Sequence, residues 1–162
     1  DYVMCMGPFG EFWFENYCIA RSYGNSRNMC EYVEDSDVPG IRYFSGVASY
    51  ANTFAAPRGW QPGQPLWLDL GEARDVAEVW VNGRKLGGLW RAPWRIDVGA
   101  AARKGANTLE VRVANKWVNR LIGDAQPGAD KVARIAAPGY RADAPLRGSG
   151  LLGPVTLLVA PR

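Results

Sequence analysis

The sequence predicts an all-β fold, a β-sandwich of jelly-roll type, on three observations. From Ile41 onward apolar residues recur with a period of two; clusters of turn residues separate these runs; and no stretch sustains a helical apolar stripe. Two sheets whose residues alternate in this way bury each other's apolar faces when stacked. A parallel α/β fold would need crossover helices, which the pattern lacks.

The elements follow in order. In 44–54, Phe44, Ala48, Tyr50 and Phe54 fall on one face while Ser45, Ser49 and Thr53 take the other, so a strand is expected there. Leu66, Leu68 and Leu70 alternate with Trp67 and Asp69. Ala77, Val79 and Val81 alternate with Glu78 and Trp80 and run into Asn82-Gly83, a pair suited to the positive φ angles of a type I′ hairpin turn. Trp94, Ile96 and Val98 alternate with Arg95 and Asp97, and Leu109, Val111 and Val113 with Glu110 and Arg112. Ala100 to Arg103 has room for one helical turn. The last strand is expected over Val155 to Val159, an apolar run bounded by Gly153-Pro154 and Pro161. Between Gly123 and Ser149 lies a long, polar excursion punctuated by Pro and Gly, the kind of loop in which function often sits.

The 162 residues, 48% of them hydrophobic, suffice for one domain that buries about 70% of its unfolded surface. No run approaches the roughly 18 apolar residues of a membrane-spanning helix. Histidine is absent, which excludes histidine triads, histidine general bases and histidine zinc sites. The net charge of +3 conceals an asymmetry: residues 1–40 hold seven acids and two bases, whereas 41–162 hold nine acids and seventeen bases. Cys5, Cys18 and Cys30 and every Met also lie in the first 30 residues. A junction is therefore expected near Val38-Pro39-Gly40, between a segment 1–40 of atypical composition, contributing a first strand, and a sandwich over 41–162. Cysteines spaced 13 and 12 apart match no zinc or thioredoxin pattern, and their odd number leaves a thiol unpaired if any disulfide forms. No signal-peptide pattern is present, and a chain opening at Asp1 reads as a processed product or an excised piece.

Several motifs have bland readings that outweigh the chemical ones. Gly148 to Gly153 spells GxGxxG, yet a dinucleotide site needs a strand before it and a helix after it, and here Pro154 and a strand follow. Paired acids can hydrolyse glycosides at separations of about 5–9.5 Å. Asp69, Glu78, Asp97 and Glu110 lie on polar strand phases, where solvated faces or ion pairs with Arg95 and Arg112 are the expectation, and Asp97 is placed to anchor a turn. Asp124 and Asp143 lie in the excursion, beyond the reach of that argument. Indole faces stack on sugar rings, and of seven tryptophans Trp60, Trp90, Trp94 and Trp117 are the candidates. Trp94 is in phase with Ile96 and Val98, which favours the core for it; Trp67 and Trp80 lie on outward phases. Arg91 and Arg95 could bind carboxylates or sugar hydroxyls. The basic residues are scattered and form no RNA-binding string, so no nucleic-acid partner is expected.

Four strings, Ile41–Tyr50 (IRYFSGVASY), Leu66–Gly71 (LWLDLG), Ala77–Gly83 (AEVWVNG) and Gly105–Val111 (GANTLEV), together resemble the galactose-binding-like jelly-roll domain of glycoside hydrolase family 2. Asn115–Asp124 (NKWVNRLIGD) and Ser149–Val155 (SGLLGPV) are similar to the C-terminal β-sandwich of family 106, the α-L-rhamnosidase-like hydrolases. The resemblance runs over about residues 41–160. Gly7–Phe14 is similar to a family first strand, whereas the Cys- and Met-bearing segment after it departs from the pattern.

The resemblance implies a galactose-binding-like accessory domain whose partner is a glycan or the catalytic domain of the same enzyme. In such enzymes the catalytic acids belong to a separate, larger barrel, so no catalytic residue is assigned here. Trp90 and Trp94 would line the loop after the hairpin. Trp117, Asn119, Arg120 and Asp124 would lie at a sandwich edge and meet either substrate or a neighbouring domain, with domain packing the preferred role. Family analogy points to a periplasmic or secreted location. No cofactor is implied; analogy with sandwich domains leaves room for a structural Ca²⁺, but no oxygen-rich loop resembles an EF-hand and no ligand is assigned. Two alternatives stay open: a self-sufficient glycosidase, and a purely structural interaction module.

Overall fold

The computed structural model describes residues 4–6, 12–15, 39–136 and 139–159. Strands β1 (Met4–Met6) and β2 (Phe12–Glu15) precede a single helical turn, α1 (Pro39–Arg42). Then come β3 (Val47–Ala55), β4 (Leu66–Asp69), β5 (Ala73–Arg74), β6 (Val76–Val81), β7 (Arg84–Leu89), β8 (Arg95–Asp97) and β9 (Ala106–Ala114). A short helix α2 (Val118–Asp124) and strands β10 (Gly150–Leu151) and β11 (Thr156–Val159) complete the order.

One layer is a six-stranded sheet ordered β1-β2-β3-β9-β6-β7; facing it are a three-stranded sheet β11-β4-β8 and the small pair β10-β5. The pairs are antiparallel except β2 on β3. The chain adopts the all-β architecture that was expected, in sheets that are mostly antiparallel. Alternation decides which side chains go inside: Ala77, Val79 and Val81 of β6 and Leu109, Val111 and Val113 of β9 are buried, as are Leu66 and Leu68 from the opposite layer. Ile96 and Leu157, each paired with Leu68, pack on the same cluster. Each fully buried Leu or Val contributes roughly 1.5–3 kcal/mol over its exposed state. Tyr50 is buried too, and its hydroxyl accepts the Leu151 amide at 3.2 Å, tying β10 to the large sheet.

The turns obey their chemistry. Asn82 and Gly83 take φ of 52° and 76°, the two positive angles of a type I′ hairpin. Asp97 Oδ1 accepts the amides of Leu66 and Gly99 at 3.0 and 2.8 Å, which is the turn-anchoring role its position suggested. Val98 O accepts from Ala101 and Ala102, so the chain makes a hydrogen-bonded turn over 98–102 and no helix at Ala100 to Arg103.

Other details depart from the sequence reading. The third strand begins at Val47 rather than Phe44, because Phe44 closes the α1 turn by donating to Ile41 O at 3.0 Å, although its ring still enters the core. Ser49, on the supposed polar phase, is buried. The final strand begins at Thr156 and exposes Leu158 and Val159, since β11 is an edge strand paired only with β4. A helix, α2, stands where none was expected, within Asn115–Asp124. The expected first strand over Gly7–Phe14 overlaps β2, with residues 7–11 outside the described residues, as is the pairing of Cys5, Cys18 and Cys30. No helix among the described residues is long and apolar enough to cross a membrane.

Candidate functional site

Register brings several sequence candidates to one end of the sandwich. Leu89 of β7 faces Ala77, which faces Val113 of β9, so Trp90 leaves β7 at the same end at which Ala114 leads to Trp117. Between them Val76 opens β6 opposite Ala114. Trp90, Trp117 and Val76 are 69%, 67% and 43% exposed, a large apolar offering to solvent in one region. The Arg91 guanidinium lies 5.3 Å from the Trp90 ring centroid, a cation–π contact that steadies the indole. An ion pair, Lys116 Nζ to Asp75 Oδ1 at 3.0 Å, joins the β9 exit to the β6 start. Trp94 differs from Trp90: it is partly buried against the core, and its carbonyl accepts the Leu70 amide at 2.8 Å.

Asn119, Arg120 and Asp124 project from α2 and hold the excursion in place. The Asn119 carboxamide, buried, donates to Arg147 O at 2.7 Å and accepts from Arg147 N at 2.8 Å. Asp124, also buried, accepts the amides of Val132 and Ala133 at 3.1 and 2.7 Å and pairs with Arg120 one helical turn earlier at 2.8 Å. Burial raises the Asp124 pKa, but the two backbone donors and the Arg120 charge outweigh it and hold the carboxyl below its ordinary value. A carboxylate so engaged is poorly suited to donate a proton to a leaving group. Gln126 reaches across to Ala142 O at 2.8 Å, so both ends of the excursion are tied to the α2 region.

The remaining acids named above are likewise occupied. Asp69 pairs with Arg95, Glu110 with Arg112, Glu78 with Lys85 and Asp143 with Arg141. Among the described residues no group of three or more His, Cys, Asp or Glu converges on a point that could hold a metal ion.

Sequence reasoning passed over a second feature. A groove of about 420 Å³ opens on the outer face of the six-stranded sheet near the Asn82-Gly83 turn, lined by Ala51, Thr53, Trp80, Thr108 and Glu110. The signal for it was the outward phase of Trp80, but which small residues would lie beside that indole depends on the β3–β9–β6 register.

Comparison with known proteins places this geometry. The family model described as glycosyl hydrolase 2 galactose-binding domain-like matches residues 41–144. A solved rhamnosidase from Novosphingobium sp. PP1Y is 56% identical, with a TM-score of 0.75, over 80% of this chain and 12% of its own. A Formosa agariphila protein named "Putative beta-glucuronidase" is 50% identical over 86 residues, 52% of this chain and 7% of its own length. The chain thus spans only a small part of these relatives.

Proposed function

From the premise that this chain belongs to the glycosyl hydrolase 2 galactose-binding domain-like family, we propose that it is a non-catalytic accessory β-sandwich of an α-L-rhamnosidase-like glycoside hydrolase. Its task is to buttress the catalytic domain, with glycan contact secondary. The observation that carries this reading is the gathering of exposed Trp90, Val76 and Trp117 at one end of the sandwich. Large aromatic side chains that cost water contact in isolation are suited to become the buried anchors of an interface. The α2 residues support the same role from behind. Asn119, Arg120 and Asp124 spend their polar groups on the chain's own backbone and on each other, which stiffens the excursion beside α2.

A chimera tests the proposal. The segment of the Novosphingobium rhamnosidase that matches this chain is replaced by it, and Trp90→Ala with Trp117→Ala is then introduced. The expected result is a lower melting temperature and weaker aryl rhamnoside hydrolysis in the chimera, with the isolated chain unchanged in stability. Full retention of both properties by the doubly substituted chimera overturns it.

A further inference from the structure

We propose that the groove beside Trp80 is a binding subsite for an uncharged pyranoside ring. Strand register builds it. Thr53 of β3 faces Thr108 of β9, and in the next row Ala51, Glu110, Trp80 and Lys85 run side by side across β3, β9, β6 and β7. A short side chain at Ala51 and two Thr in place of long ones leave a depression, and the larger Trp80 walls it on the β6 side. Its volume of about 420 Å³ lies within the roughly 300–1,000 Å³ of small-molecule sites.

The lining has the mixed chemistry that a sugar needs. The part of Trp80 that lines the groove supplies apolar contact for the C–H surface of a ring. The exposed hydroxyls of Thr53 and Thr108 can donate and accept. Arg112 Nε takes one oxygen of Glu110 at 2.6 Å, while the other oxygen has no partner among the described residues and can accept from a sugar hydroxyl.

The groove is also held in shape before any ligand arrives. Lys85 Nζ lies 5.1 Å and Arg112 Cζ 4.6 Å from the centroid of the Trp80 ring. Both cations are in turn paired with carboxylates, Lys85 with Glu78 and Arg112 with Glu110. The indole is therefore braced by two cations that are each held by a carboxylate, and a preorganised wall loses little entropy on binding. Lys85 and Arg112 each already hold a carboxylate, and the register sets Glu15 of β2 opposite Ala51 at the end of the same row, which favours an uncharged ring over a uronate or a phosphate. The choice of a sugar over another uncharged polar ring rests on the glycoside-hydrolase reading above; the site itself lies at the end of the sheet away from Trp90 and Trp117.

Titration of the ¹⁵N-labelled 162-residue chain with methyl α-L-rhamnopyranoside, methyl β-D-glucopyranoside and methyl β-D-glucuronide tests the proposal. The indole N–H of Trp80 is identified by its loss in Trp80→Phe. The expected result is that one or both neutral glycosides shift the Trp80 indole and the Thr53 and Thr108 amides, with affinity of roughly millimolar order. The glucuronide is expected to bind more weakly. Thr108→Arg, at an exposed position that leaves folding intact, is expected to weaken binding at least about tenfold by filling the groove. Absence of shifts with both neutral glycosides overturns the proposal. So do shifts confined to the Trp90 and Trp117 indoles, tighter binding of the glucuronide, or binding indifferent to Thr108→Arg. None of these outcomes bears on the buttressing role, which the chimera decides separately.

Discussion

The carboxamides of Asn82 and Asn107 meet at 2.8 Å, Nδ2 of the first donating to Oδ1 of the second, and so lock the β6–β7 hairpin to the turn that feeds β9. Asn82 also donates to Ala101 O and accepts from the Thr108 amide, while Asn107 accepts from Arg103 N and donates to the carbonyls of Arg103 and Gly105. Two side chains thereby satisfy the polar backbone of three successive turns.

Asn107 is almost wholly buried, so Asn107→Ala strands several donors and acceptors away from water. At about 1–3 kcal/mol for each buried group left unpaired, a loss of at least about 2 kcal/mol is expected, read as a lower urea midpoint with an unchanged m-value. A midpoint within error of the parent chain would show that these bonds do not carry the turn.

Asp124 gives the fold a pH dependence of definite sign. Its carboxyl sits below the ordinary Asp value in the folded chain, because two amides and Arg120 outweigh burial. The stabilisation is therefore complete above the unfolded value of about 4 and is lost as pH falls through the lowered folded value. Asp124→Asn is expected to cost about 3 kcal/mol at neutral pH, since it leaves the largely buried Arg120 without its counter-charge, and to flatten the acid limb of stability against pH. Denaturant melts at several pH values from neutral into acid check both parts. An acid limb of unchanged slope would assign it to other carboxylates.

Gly71 takes φ of +66°, and a Cβ there would run into the carbonyl carbon and oxygen of Gly153. The obstruction is backbone, which cannot swing aside as a flexible side chain would. Gly71→Ala is expected to lose roughly 2–4 kcal/mol from left-handed strain and overpacking together. The same substitution at Gly83, with positive φ but open space around it, is expected to cost about 1 kcal/mol. Equal melting temperatures for the two variants would remove the steric argument.

Trp90 and Trp117 make the opposite expectation. Both are about two-thirds exposed, so Trp90→Ala and Trp117→Ala should each leave the isolated chain within about 0.5 kcal/mol of its parent. Thermal melts of the isolated variants measure this, and a large loss would reveal a packing role within the sandwich itself.

The alternation of Leu66, Leu68, Ala77, Val79, Val81, Leu109, Val111 and Val113 was enough to assign the inner faces of three strands, because side chains on a strand change sides at every residue. Asn82-Gly83 likewise announced its hairpin, as few other pairs accept two positive φ angles. These are local rules, and the sequence alone determined what they govern: an all-β chain, its principal strands and its main turn. Helix α2 escaped them because seven residues are too few to show a period. The two-residue β5 and β10 escaped them because such pairs exist only where distant segments meet.

Only the tertiary structure decided the roles of the candidate residues. Nothing near Asp124 in the sequence says that its carboxylate caps the amides of Val132 and Ala133, and nothing near Trp80 says that Ala51 and Thr108 leave space beside it. Cross-strand register and loop docking pair residues tens of positions apart. Their outcome depends on the summed packing of the whole domain, which no short window of sequence contains.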